Sequence, residues 1–208
     1  LSGCGVFDGS EIHEATLTLY SIVKNGETYE IFAPDISQHH IINHITGEEM
    51  NETRNVMVES ARIARGKIHD LADFNPADFD AVIFPGGFGA AKNLSDWAFK
   101  GPDAGVIPQV EKCLKSMHEA GKPIGALCIS PVLLAKVFGD VELTIGSDPS
   151  TIDGITSTGA RHVKTTHGEI VIDKKYNVVT TPCYMLDATI DQIGEGAENV
   201  VKAIFEMQ

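Results

Sequence analysis

The segment from Lys122 to Lys136 constrains the fold more than any other part of the chain. Pro123 to Leu127 is a short apolar run that reads as a buried strand. Ser130, Pro131 and the apolar residues after them read as a helix start, because Pro at a first-turn position forfeits no helical hydrogen bond. One residue, Cys128, is left at the join. A sharp strand-to-helix turn lifts such a side chain to the top of a sheet, the geometry of a nucleophile elbow, here built on Cys in place of Ser. Unpaired N–H groups and the positive end of a helix dipole at that place favour a thiolate, and such surroundings bring a thiol below the ~8.5 of a free Cys. The competing reading is a structural Cys packed as a small hydrophobe.

The rest of the chain repeats the same alternation. Leu1 to Val6 reads as the end of a first strand whose start lies before the sequence, and Ser10 as the cap of a helix over Glu11 to Asn25 stopped by Gly26. Thr28 to Ala33 is a strand, Asn55 to Arg65 a helix, and Lys67 to His69 a short strand. Phe79 to Phe84 is a continuous apolar run suited to a strand buried on both faces, and it empties into Pro85-Gly-Gly-Phe-Gly89. Val106 to Ala120 is helical, Val141 to Ile145 extended, and Asp148 to Thr158 a turn-rich or weakly helical connector. Glu169 to Asp173 and Tyr176 to Thr181 flank Lys174-Lys175 as an antiparallel hairpin. Asp187 to Met207 closes the chain as a long helix. Strands alternating with helices predict a three-layer α/β sandwich, with a mostly parallel sheet covered by helices on both faces. The expectation is one domain over 1–208.

Charge and cysteines narrow the function. A net charge of −13 argues against nucleic-acid and anionic-membrane partners, which demand clustered Lys and Arg. No segment reaches the ~18 uncharged apolar residues of a membrane span. Cys4, Cys113, Cys128 and Cys183 contain no C-x-x-C pair, so no metal site is expected and reduced thiols in a cytoplasmic setting are the simplest reading. Organellar targeting stays open.

In sheets of this kind the working site lies beyond the carboxyl ends of the strands. Three features meet there: Glu11 and Glu14 after the first strand, Gly86-Gly87 after Phe84, and Cys128 after Leu127. The glycine pair matches no phosphate-binding pattern. It suits close backbone approach, with an N–H aimed at a developing oxyanion, and the N–H of Ile129 would be the second donor. The competing readings are acids that complement a helix dipole and glycines that serve only a turn. His13, beside Glu14, and Asn93 are further candidates, as is His167.

Several long blocks carry a resemblance: Leu1-Ser-Gly-Cys-Gly-Val-Phe-Asp-Gly-Ser-Glu-Ile-His-Glu14, Glu59-Ser-Ala-Arg-Ile-Ala-Arg-Gly66, Phe84-Pro-Gly-Gly-Phe-Gly-Ala-Ala-Lys-Asn-Leu94, Gly121-Lys-Pro-Ile-Gly-Ala-Leu-Cys-Ile-Ser-Pro131 and Val179-Thr-Thr-Pro182. Together they resemble the ElbB family of the ThiJ/PfpI superfamily, whose fold is akin to the class I glutamine amidotransferase domain and to flavodoxin-like sandwiches. The resemblance implies an elbow Cys at Cys128 facing a helix-borne Glu at Glu14, with Glu11 as second choice and Gly87 and Ile129 as oxyanion donors. It also implies a homodimer, a loose link to isoprenoid biosynthesis, and glyoxalase activity. Many superfamily enzymes carry His directly after the Cys or further along; here Ile129 and Asp148 stand in those places, which argues against a Cys-His-acid triad.

Together with these residues, the resemblance implies a glutathione-independent glyoxalase that needs no metal, cofactor or nucleotide. Cys128 would attack a small 2-oxoaldehyde such as glyoxal or methylglyoxal, and Glu14 would relay the proton that leads to glycolate or lactate. Two alternatives remain: a non-catalytic redox sensor or interaction protein built on Cys128, and an amidotransferase-like hydrolase using His167-Gly-Glu169.

Overall fold

The computed structural model describes residues 1–208. Its central ladder holds β3 (Val82–Phe84), β4 (Ile124–Leu127), β8 (Val178–Thr181) and β7 (Val171–Asp173) in the spatial order β3-β4-β8-β7. β4 runs parallel to both neighbours, with Ile124 opposite Val82 on one side and Val178 on the other. β7 returns antiparallel to β8 as the expected hairpin. Asp173 Oδ1 accepts from the N–H groups of Lys175 and Tyr176 and fixes its turn. Two short parallel ladders lie outside it, β1 (Phe32–Ala33) with β2 (His69–Asp70), and β5 (Glu142–Leu143) with β6 (Arg161–His162).

Both faces are covered, as the unbroken apolar runs require. On one face α5 (Pro108–Glu119) and α6 (Pro131–Phe138) bury Val110, Leu114, Met117, Leu133 and Leu134 against β3 and β4. On the other, α8 (Ile190–Glu206) lays Ile193, Ala197, Val200 and Ile204 over Leu127 and Val179, with α1 (Ile12–Lys24) packed beside it. Each such side chain contributes about 1.5–3 kcal/mol by leaving water. α8 approaches β4 so closely that a Cβ on Gly125 would come within 3.0 Å of Ile204 Cδ1. Glycine there sets the helix–sheet spacing.

The structure departs from the sequence reading in several places. Leu1 to Val6 forms no strand: only Cys4 pairs, in an isolated bridge to Ser10, and the Leu1 amino group donates to Phe32 O at 2.6 Å. A cleft of about 330 Å³ lies between β1 and β3, lined by Leu1, Phe32, Val82 and Phe84 among others. It separates the two ladders. The cap of α1 is Glu11, whose carboxylate accepts the Glu14 N–H, and not Ser10. The connector after Asp148 is a nine-residue helix, α7 (Pro149–Ser157), held open at its start by the Asp148 side chain on Thr151 N–H. Its Ser, Thr and Gly content lowers helix propensity, and the cap and packing of Ile155 overcome that. Two short helices, α3 (Phe88–Lys92) and α4 (Trp97–Lys100), were not foreseen.

Candidate active site

Cys128 occupies the elbow with φ +59°, a left-handed conformation that non-glycine residues seldom adopt. Three contacts impose it. Its own N–H donates to Thr181 O at 3.0 Å, extending the β4–β8 ladder. Ser130 N–H then turns back to Leu127 O, and the Ser130 hydroxyl donates to Pro85 O at 2.6 Å. That last bond ties the elbow to the glycine loop after β3. Strain of this kind costs of order 1–3 kcal/mol and persists only where surrounding structure enforces it.

Glu14 meets the sulfur from α1. It is fully buried, accepting from Gly86 N–H at 2.9 Å through Oε2 and from Tyr184 N–H at 3.3 Å through Oε1. Gly86 is where loop, acid and thiol converge: a Cβ there would stand 2.3 Å from Cys128 Cβ, 2.5 Å from Glu14 Oε2 and 2.8 Å from Cys128 Sγ. The N–H groups of Gly87 and Ile129 bear on the sulfur and have no backbone acceptor. Gly87 takes φ +93°, and a Cβ there would strike Gly9 O and Glu11 N at 2.3 Å. The loop therefore requires glycine twice over.

Electrostatics differ from the elbow expectation. Cys128 is only 6% exposed, and burial followed by the nearby Glu14 charge raises its thiol well above the usual value, against the Gly87 and Ile129 N–H groups. Burial, then the charge of Glu11, lifts Glu14 to about 7. The resting sulfur is a thiol, because two acidic groups in one dry pocket cannot both ionise. Near neutral pH Glu14 titrates while the thiol keeps its proton, with N–H donors on each side: Gly86 and Tyr184 for the carboxylate, Gly87 and Ile129 for the sulfur.

The other candidates lie around this pair. Glu11 caps α1 through its carboxylate on the Glu14 N–H, its own N–H donates to Gly86 O at 2.9 Å, and its charge acts on Glu14. His13 is on the half-exposed side, its Nδ1 2.8 Å from Tyr184 OH and 4.0 Å from Glu11 Oε1. Asn93 is buried with its amide fully engaged, donating to Ser2 O and Asp8 O and accepting from His39 N–H. His167 belongs to a turn tied to α8 by Asn199 Nδ2 on Gly168 O, and Glu169 Oε2 is taken by Thr166 N–H. Tyr184, on the turn after β8, was missed by sequence reasoning. Nothing local marks it, since its partners are at the other end of the chain.

A family model described as the DJ-1/PfpI family matches residues 6–187. The chain belongs to that family. Among relatives of this DJ-1/PfpI protein is the human glutamine amidotransferase-like class 1 domain-containing protein 3, mitochondrial, 48% identical over all of this chain and 81% of its own length. The crystal structure of an isoprenoid biosynthesis protein with amidotransferase-like domain from Ehrlichia chaffeensis superposes with TM-score 0.92 at 33% identity, covering all of this chain and 96% of that one. Drosophila melanogaster DJ-1beta aligns with TM-score 0.54 at 17% identity over 96% and 90% of the two chains, a likeness of fold. The ElbB-like resemblance and the glutamine amidotransferase-like α/β architecture read from the sequence both hold. No helix is long and apolar enough to cross a membrane.

Proposed function

We propose that this DJ-1/PfpI protein is a cofactor-independent glyoxalase acting on small 2-oxoaldehydes. The observation that carries the reading is the buried Cys128–Glu14 pair, a thiol beside an acid raised to about 7, with the Gly87 and Ile129 N–H groups directed at the sulfur. Glu14 takes the thiol proton as sulfur bonds to the aldehyde carbon, C1. The C1 oxygen rests on the N–H groups of Gly87 and Ile129 and receives that proton back from Glu14. The carboxylate, now free, removes the C1 hydrogen and returns it to C2, while the C1 hydroxyl proton is lost and the C2 oxygen gains one, so the hemithioacetal becomes a thioester of the 2-hydroxy acid. Water activated by Glu14 adds to the thioester, and Cys128 leaves as the thiol. C1 is oxidised, C2 is reduced, and no outside electron carrier enters.

Two features support the substrate class. The sulfur is only 6% exposed, so a two- or three-carbon electrophile suits the site better than a peptide or nucleotide. An aldehyde is also electrophilic enough to react without a His base. The redox-sensor alternative asks for an exposed, low-pKa thiol, and Cys128 is neither. The amidotransferase-like alternative asks for His167 and Glu169 at the thiol, and their turn is bound to α8.

The proposal extends to a homodimer, supported by the family resemblance, and to a reducing compartment, supported by four free cysteines. The human relative is described as mitochondrial, which favours the mitochondrion over the cytosol as that compartment. The deciding experiment compares wild type with Cys128→Ala for conversion of glyoxal to glycolate. Loss of turnover in a variant that folds is expected; unchanged conversion ends the proposal.

A further inference from the structure

Two side chains from distant parts of the sequence meet beside Glu14. His13 Nδ1 and Tyr184 OH, 171 residues apart in sequence, meet at 2.8 Å. Both are tied to Glu14, His13 as its neighbour on α1 and Tyr184 through its N–H on Oε1. The His13 ring is half exposed, whereas the Tyr184 ring is partly covered. The groups facing the pair are Glu11 on the cap of α1, Glu14 on the first turn of α1 and Cys183 on the turn after β8. This arrangement has no packing requirement that Phe could not meet, yet it engages both polar ends.

We infer that the hydrogen-bonded His13–Tyr184 pair is the second proton-transfer group of the site, serving the C2 oxygen of the bound 2-oxoaldehyde. The inference rests on the glyoxalase reading. When Glu14 removes the C1 hydrogen, a C1–C2 double bond forms and the C2 carbonyl oxygen needs a proton. Tyr184 supplies it and takes one from His13 Nδ1, while Nε2 on the exposed edge of the ring takes one from solvent. When Glu14 returns its proton to C2, the C1 hydroxyl becomes the thioester carbonyl and gives its proton to Tyr184, which passes one back to His13 Nδ1 as Nε2 releases one to solvent. The chain of transfers closes with no net gain or loss. Burial and the charges of Glu11, Glu14 and Cys183 raise the Tyr184 phenol above its usual value, so it carries its proton at neutral pH.

The test uses methylglyoxal as probe with wild type, Tyr184→Phe, His13→Gln and the double variant. Positioned acid–base groups contribute typically 10²–10⁴-fold, so each single variant is expected to lose about 10²-fold in kcat with little change in KM. The double variant falls no further, because the two act as one unit. The lactate formed should also lose enantiomeric purity, since nothing then fixes the C2 oxygen during reprotonation. Thermal midpoint and the rate of Cys128 alkylation by iodoacetamide should stay at wild-type values. Full kcat in both single variants overturns the inference, as does a parallel loss of alkylation, which would mean that Cys128 itself was disturbed. No turnover by the wild type overturns the glyoxalase reading and this inference with it.

Discussion

Glu14 Oε2 and Cys128 Sγ converge on the space above Gly86, lying 2.5 Å and 2.8 Å from where a Cβ on that residue would be. The acid and the thiol come from α1 and from the end of β4, and only a glycine between them lets both reach the same pocket. Each depends on the other's protonation state. The consequences below follow from that dependence.

Glu14→Gln should separate thiol reactivity from turnover. In the wild type above about pH 7, ionised Glu14 opposes thiolate formation at Cys128. Removing its charge lowers the thiol pKa, so alkylation by iodoacetamide at pH 8 should be faster than in wild type. Conversion of glyoxal should fall by about 10²–10⁴-fold, the usual worth of a positioned acid–base group. Slower alkylation in the variant would contradict the charge argument.

The same residue makes stability depend on pH. Burial raises the folded-state Glu14 from the ordinary 4.5 to about 7. Between those values the unfolded chain has released the proton and the folded chain still holds it, so stability falls as pH rises from 4.5 to 7 and is flat above. At 1.36 kcal/mol per unit, the effect is on the order of 3 kcal/mol. Glu14→Gln removes the titration. Denaturant unfolding at pH 5 and pH 8 should show the variant gaining on wild type at the higher pH.

Much of the site was legible in the sequence because its parts are local signals. An apolar strand ending in Cys128-Ile-Ser-Pro131 announces an elbow, and Gly86-Gly87 after Val-Ile-Phe announces a close backbone approach. The hairpin around Lys174-Lys175 and the apolar stripe of α8 are also short-range patterns. What escaped depends on contacts across the fold. Burial of Cys128 outweighs the helix-end effect that favours a thiolate, and no local pattern reports how deep an elbow sits. Tyr184 owes its place to partners in α1. α3 starts behind Gly87 in a conformation set by Gly9 and Ser10, and α7 depends on one Asp148 carboxylate.

Gly86→Ala should disable the site while leaving most of the fold in place. A methyl group there would overlap Cys128 and Glu14 and push one of them aside. Overpacking of this kind costs typically 1–3 kcal/mol, and an ångström of misplacement at reacting groups can cost 10²-fold in rate. Turnover should therefore fall by about that factor with a modest drop in thermal midpoint. Wild-type activity in this variant would show that acid and thiol need not approach over residue 86.

Asn93→Ala should give the opposite pattern, a loss of stability with little loss of chemistry per folded molecule. The Asn93 amide joins Ser2 O, Asp8 O and His39 N–H, clamping the first loop and the His39 segment to the end of α3. Removing it leaves the buried carbonyls of Ser2 and Asp8 without that donor, at about 1–3 kcal/mol for an unsatisfied group. Unfolding at fixed pH should show the destabilisation, and kcat measured well below the variant's thermal midpoint should stay close to wild type. A large drop in kcat without a change in stability would instead place the Asn93 amide in contact with the substrate.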